Sequence, residues 1–381
     1  MISTQGNATD AVREALAGCD GRRVLAAMSG GVDSAVATAL AAEASGGVAV
    51  GVTMRLWSPG DGEPSEKARQ CCGPTAYEDA RRVAAECGIP HFVVNFEAAF
   101  NRAVVEYFCA EYLAGRTPNP CVACNNLVKF GALLDFARAL GADAVVSGHY
   151  ARVRRSPGGP RLFRARDPLK DQSYMLAGLR PDQLASVVMP LGDLTKDATR
   201  EIARARAFDV AEKPDSMDLC FVDGDYRGFI ERRHPEAAAP GPVMTSDGRV
   251  VGRHSGLLGY TVGQRKGLPQ DLGDGPWYVV RTDRRANAVV VGRKEELSKT
   301  HIACAAVNLL RGDAFAHERE VSGMAVCRYR SRAIPARARA ADGRLSVRFS
   351  QPVPVASPGQ LLVFYDESAE EVLASGIIES D

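Results

Sequence analysis

The chain has 381 residues, 46% of them hydrophobic and 24% charged, with a formal net charge of +1. This length exceeds one compact core and implies two or three domains, and a charge so near zero excludes a global field that would attract polyanions. No segment reaches the ~18 apolar residues of a membrane span, and the N-terminus lacks the basic-then-apolar layout of a secretion signal, so the cytoplasm is the expected location, with no membrane partner.

In chain order, "RRVLAAMS" (22–29) reads as a buried strand and the Ala-rich stretch Asp33 to Ala44 as a helix. "GVAVGVTM" (47–54) is a second strand, 77–87 a helix and "HFVVNF" (91–96) a third strand. A helix from Glu97 to Leu113 follows, then a loop holding Cys121 and Cys124, then a helix near Leu127 to Leu140 and a fourth strand, "DAVVSGHY" (143–150). Strands alternating with helices predict an α/β fold with an open, Rossmann-like parallel sheet. Ligands of such sheets bind beyond the carboxyl ends of the strands, where Ser29, Met54 and Gly148 fall. Beyond Lys213 the chain becomes Gly-rich with short alternating runs, so the expected division is a catalytic domain over 1–215, a small β-rich connector over 216–284 and a C-terminal β-barrel over 285–381.

"SGGVDS" (29–34) joins the first strand to its helix. Two glycines allow a tight turn that points several N–H groups into one concavity, the helix N-terminus adds partial positive charge, and Ser34 adds a hydroxyl. That combination suits a pyrophosphate-sized anion. It lacks the Gly-Lys-Ser/Thr ending of a Walker loop and is not Gly-x-Gly-x-x-Gly. The stretch resembles the pyrophosphate loop of the N-type ATP pyrophosphatases. That resemblance implies an adenine-nucleotide α-hydrolase-like sheet and activation of a substrate oxygen by adenylation with ATP and Mg2+.

Seven further motifs follow "GRTPNP…CN…KF" (115–130) in order: "SGHY" (147–150), "KDQSY" (170–174), "KPDSMDLCF" (213–221), "GQRKGL" (263–268), "WYVV" (277–280), "RYR" (328–330) and "PGQ" (358–360). Together they resemble the bacterial tRNA-specific 2-thiouridylases over nearly the whole chain. The resemblance implies replacement of the carbon-2 oxygen of the tRNA wobble uridine by sulfur. A urea-like oxygen leaves poorly, and ATP makes it depart as AMP. A persulfide on one cysteine supplies the sulfur and a second thiol releases it by closing a disulfide.

By that family pattern Cys124 matches the nucleophile and Cys220 the persulfide carrier, loaded by a sulfur donor such as a cysteine desulfurase or a sulfur-relay protein. Asn119, Pro120 and Cys121 match positions near the target base. The nucleotide-binding positions are Ala27, Met28, Ser29, Gly30, Gly31, Val32, Asp33 and Ser34, with Met54 and Gly148. His149, Lys170, Asp171, Gln172, Arg328, Tyr329 and Gln360 match tRNA contacts. A free thiol is only a few per cent thiolate at neutral pH, so a helix N-terminus near Asn126 is expected to lower the Cys124 pKa.

Many family members carry Asp where this chain has Cys121, which leaves an acid/base role there open. It also raises an alternative in which Cys121, Cys124 and Cys220 hold three irons of a [4Fe–4S] cluster that binds hydrosulfide. Cys71 and Cys72 receive no role, and the remaining cysteines are expected to be packing residues. Rival readings are another enzyme on the same loop, such as a 4-thiouridine synthase or an amide-forming synthetase, and a tRNA-binding protein with structural ATP. The first leaves the Cys-Asn and Leu-Cys-Phe motifs without jobs. Six arginines and no acid between Arg152 and Arg166, and five and no acid between Arg328 and Arg339, mark two candidate RNA-facing runs.

Overall fold

The computed structural model describes residues 3–17, 19–57, 73–215, 219–222, 224–268 and 275–380. Cys71, Cys72 and residues 216–218 of the "KPDSMDLCF" motif lie outside the described residues. The chain forms two compact units: Met1–Val104 with Cys121–Asp223 and Glu370–Val372, and Val105–Pro120 with Gly224–Ala369 and Leu373–Asp381.

In the first unit, strands β1 (Val24–Ala27), β2 (Ala49–Arg55), β3 (His91–Asn95) and β4 (Ala144–Val146) lie where the apolar runs predict them. A hairpin follows, β5 (Arg152–Ser156) with β6 (Gly159–Phe163), and then β7 (Val187–Val188). The sheet order is β3-β2-β1-β4-β7, parallel throughout. β7 escapes sequence reading because two residues carry no periodicity. The helix Val32–Ala44 is buried on most sides. Its alanines let it lie close against the sheet, in a core with Val24, Ala26, Val146 and Leu191.

Two helices depart from the expected register. The run from Glu97 to Leu113 is helical throughout but π-type over Asn101–Glu106. The second begins at Pro120 rather than near Leu127, is π-type over Cys124–Ala132, and continues to Ala139. Proline is pre-organised for a first helical position, so the Pro-Asn-Pro turn starts the helix before the cysteines. Both Cys121 and Cys124 are therefore helical, not in a loop.

The second unit holds two β structures. Strands β8 (Gly241–Thr245), β9 (Val250–His254), β10 (Tyr278–Asp283) and β11 (Ala288–Gly292) form a sheet in the order β10-β11-β8-β9. Val243, Val279, Val289 and Val291 form its core. Strands β12 (Lys299–Leu309), β13 (Val321–Val326), β14 (Ile334–Ala341), β15 (Arg344–Val353), β16 (Leu361–Tyr365) and β17 (Val372–Ile378) close into a barrel, β12-β15-β14-β13-β16-β17. Along β15, Leu345, Val347 and Phe349 are buried while their neighbours face water, the period-2 pattern of a barrel wall. Closure leaves no free strand edge. Among the described residues no helix is long and apolar enough to cross a membrane.

Candidate active site

The loop Ser29–Ser34 leaves the carboxyl end of β1, and two close approaches fix its path. Gly30 has φ +70, and a Cβ there would meet the Ala76 carbonyl oxygen at 2.3 Å. A Cβ on Gly148, just past β4, would lie 2.6 Å from the Asp33 carbonyl carbon and 2.7 Å from the Ser34 nitrogen. Only glycine permits these contacts. Ser34 Oγ donates to the Gly31 carbonyl at 2.9 Å and accepts from the Ser29 N–H at 3.1 Å, which holds the turn closed. Ser29 is exposed, Val32 and Ser34 are buried, and Met54 lies half-buried near the end of β2.

Beneath the loop lies an ion network that sequence reading missed. Lys196, buried at the start of the helix Lys196–Ala205, donates to both Asp33 carboxylate oxygens at 2.7 and 2.8 Å and pairs with Asp215 at 2.7 Å. The Tyr150 hydroxyl donates to Asp33 at 2.8 Å. Burial, then the Asp33 carboxylate, push the Tyr150 phenol far above its ordinary range, so it keeps its proton. Lys170 pairs with the other oxygen of Asp215 at 2.7 Å. Burial alone would raise the Asp215 pKa, but the hydrogen bonds from Lys170 and Lys196 outweigh it and hold the carboxyl below its usual range. Lys213 donates to the Gly30 carbonyl and to Asp79, each at 2.9 Å. Lys213 and Asp215 sit inside a recognised motif; Lys196 and Asp79 carry no sequence signal.

Of the expected tRNA-contact residues, several are engaged internally. Lys170 serves the ion network. Asp171 accepts from the Ala165 and Ser173 N–H groups, both at 3.0 Å, and Gln172 accepts from the Tyr150 N–H at 2.9 Å. In the second unit, Gln360 Nε2 donates to the Thr117 carbonyl at 2.9 Å, beside Asn119 and Pro120. A Cβ on Gly359 would meet the Thr117 nitrogen at 3.0 Å.

Four of the six arginines in the first run are paired within their own unit: Arg152 with Glu370, Arg154 with Asp193, Arg161 with Glu371 and Arg164 with Asp171. The run with no acid in sequence is largely neutralised by acids from elsewhere. In the barrel run, Arg337 and Arg339 pair with Glu320 and Glu318. Among the described residues Arg328, Arg330 and Arg332 are exposed and pair with no carboxylate.

Cys124 is buried in the π-type segment. A hydrogen-bonded turn of that register closes at the fifth residue, which brings Lys129 around to the cysteine's side, where an α-helix would turn it ~140° away. Burial pushes the Cys124 thiol up to about 11, with Lys129 opposing the rise and Cys121 adding to it. The expected lowering by a helix N-terminus does not occur. The helix starts at Pro120, four residues before Cys124, and desolvation of the thiolate outweighs one lysine.

The same lysine acts on His149, whose ring lies 5.5 Å from that of Phe130 and 2.8 Å from Ser147 Oγ. Burial first, and then Lys129, depress the His149 pKa well below its usual range, so the imidazole is neutral. Gln183 braces the segment, donating to the Asn126 and Phe130 carbonyls at 2.9 and 2.6 Å. Buried Oδ1 atoms of Asn125 and Asn126 have no hydrogen-bond partner among the described residues.

Cys121 is exposed and Cys220 half-buried, beside Phe221, whose ring contacts Trp57 and Phe100. Among the described residues no group of three His, Cys, Asp or Glu is gathered to hold a metal ion. The three cysteines thus do not fit an iron–sulfur ligand set. The Asp33 oxygens are likewise taken by Lys196.

Comparison with known proteins places the chain. Residues 22–224 match the tRNA methyl transferase HUP domain, 227–293 the tRNA methyl transferase PRC-barrel domain and 300–378 the aminomethyltransferase beta-barrel domain. A tRNA-specific 2-thiouridylase MnmA of Roseiflexus castenholzii is 44% identical over 377 residues, covering 94% of this chain and 100% of that protein. Those of Moorella thermoacetica and Chloroflexus aggregans are 46% and 47% identical, covering 93% and 90% of this chain and 99% and 95% of those proteins.

Proposed function

The chain belongs to the tRNA-specific 2-thiouridylase family and is an enzyme of ATP-dependent tRNA 2-thiolation, and on that premise we propose how its residues divide the work. ATP supplies the adenylyl group that turns the uridine carbon-2 oxygen into a leaving group. The N–H groups of the Gly30–Ser34 loop hold its phosphates, the Ser34 hydroxyl keeps that turn closed, and Lys196 stabilises the negative charge that develops as pyrophosphate departs. Gly148 closes the loop from behind.

Cys220 carries the sulfur as a persulfide received from a protein donor. Cys124 attacks the Cys220 Sγ, forming a Cys124–Cys220 disulfide and expelling hydrosulfide. The persulfide's sulfane sulfur is thereby reduced and the Cys124 thiol oxidised. Hydrosulfide then adds to carbon 2 and AMP leaves with the original oxygen. An external thiol reduces the disulfide before the next cycle. Lys129 offsets part of the cost of making the Cys124 thiolate, and His149, neutral, accepts hydrogen bonds without adding charge. Asn119, Pro120 and exposed Cys121 stand near the target base, and the cytoplasm is the place of action.

The observation that carries this division is that one compact unit holds both the phosphate loop and the two cysteines, with Cys124 buried under the influence of a lysine and a neutral histidine. The test is mass spectrometry of wobble uridines in tRNA from a strain lacking the gene. Complementation by the wild-type chain should restore 2-thiouridine, and by Cys124→Ala or Cys220→Ala should not. Restoration by either variant would overturn the assignment.

A further inference from the structure

Between β13 and β14 the chain makes a tight turn over Arg328–Ser331, closed by the Ser331 N–H and Oγ, which both donate to the Arg328 carbonyl at 2.9 and 2.7 Å. Arg330 takes the third position of that turn with φ +60. Turns of this kind favour glycine there, because a Cβ is strained at positive φ. The strained backbone presents the Arg330 guanidinium over the Tyr329 ring, 5.3 Å from its centroid. No carboxylate among the described residues competes for it, and Arg328 and Arg332 on either side keep the turn cationic.

A guanidinium beside an aromatic face is attracted by the ring's quadrupole and restricts its rotamers. A tyrosine held in this way, among unpaired arginines, suits an unpaired base, which offers a π-face, better than it suits a duplex. We propose that Arg330 is a positioning residue that holds the Tyr329 ring as a stacking platform for an unpaired base of the RNA substrate. This deepens the tRNA reading and rests on it. The turn accepts backbone strain to point a cation at the ring, and glycine would relieve the strain but leave the ring unsupported.

The test measures binding of an unmodified tRNA transcript to the full chain, with thermal melting alongside. Arg330→Gly should melt no lower than wild type yet bind more weakly, by ~5- to 160-fold, the range of one lost base stack. Tyr329→Ala should weaken binding similarly, and Tyr329→Phe should not. The double variant Arg330→Gly/Tyr329→Ala should bind no more weakly than Tyr329→Ala alone, because the two residues act as a unit. Additive losses, with a salt slope flatter by ~0.7–0.9 for Arg330→Gly, would make Arg330 an independent phosphate contact and overturn the proposal. Unchanged binding by Arg330→Gly would overturn it too. Failure of the wild-type chain to bind tRNA would instead overturn the reading on which it rests.

Discussion

The Lys196 ammonium lies 2.7 and 2.8 Å from the two carboxylate oxygens of Asp33, although 163 positions separate the residues in sequence. One buried cation thus sits directly under the phosphate loop and also holds Asp215. Lys196→Met takes the counter-ion from Asp33 and leaves Asp215 to Lys170 alone at hydrogen-bond distance. Losing one partner of a fully buried pair costs roughly 3–5 kcal/mol. Because these carboxylates retain 30% and 29% exposure, about 2 kcal/mol is expected in urea denaturation. AMP formation should fall by at least ~10²-fold, with partial recovery in Lys196→Arg. Wild-type AMP formation by folded Lys196→Met would remove Lys196 from the nucleotide site.

Glycine at position 148 is required by a backbone approach rather than by a turn. The Gly148→Ala Cβ would press on Asp33 and Ser34 at 2.6 and 2.7 Å, and overpacking of this kind costs about 1–3 kcal/mol. The helix start must shift, so ATP-to-AMP turnover should fall at least ~10-fold while tRNA binding persists. The pair of measurements, pyrophosphate release and tRNA retention, separates a misplaced phosphate loop from a general loss of structure.

Asp215 supplies a pH dependence with a definite sign. Its pKa in the folded chain is held below the ordinary value by Lys170 and Lys196, against the opposing effect of burial. Its stabilisation is therefore present above the unfolded carboxyl pKa, ~3.9, and is lost as pH falls through the lower folded value. Denaturation midpoints should decline as pH falls from about 5 through the unfolded carboxyl pKa of ~3.9 and below in the wild type, and decline less in Asp215→Asn. Equal slopes would show that the network contributes nothing at acid pH.

The buried Cys124 thiol, pushed up to about 11, should react slowly with iodoacetamide in the substrate-free protein. At neutral pH only ~10⁻⁴ of it is thiolate, and the rate should climb about tenfold per pH unit. Lys129→Met should slow alkylation further by removing the opposing charge. Exposed Cys121 should be modified first, as peptide mass spectrometry would report. Rapid labelling of Cys124 at neutral pH would mean that its environment already favours the thiolate.

The two arginine runs should behave differently in salt. Arg154, bound to Asp193 at 2.7 Å, should leave the slope of log K against log salt for tRNA binding unchanged when replaced by Gln. Replacing Arg328 and Arg332 together should flatten that slope by about 1.4–1.8, two contacts at ~0.7–0.9 each. A flattened slope for Arg154→Gln would restore the hairpin to the RNA surface.

What the sequence by itself determined was local or patterned. The apolar runs of β1 to β4, the alternation along β15 and the glycine turn at 29–34 are written in neighbouring residues, so periodicity and turn chemistry expose them. The motifs containing Cys124 and Cys220 mark the family in the sequence alone. Tertiary structure alone decided the rest. Lys196 under Asp33, the acids that neutralise the hairpin arginines, and Gly148 against Ser34 join residues far apart in the chain, and no local pattern encodes such pairs. The Cys124 thiol is the clearest case. Sequence suggested a thiolate favoured by a nearby helix start, but proline began the helix earlier and the fold buried the sulfur. Desolvation is set by everything packed around a group, and only the folded chain determines that sum.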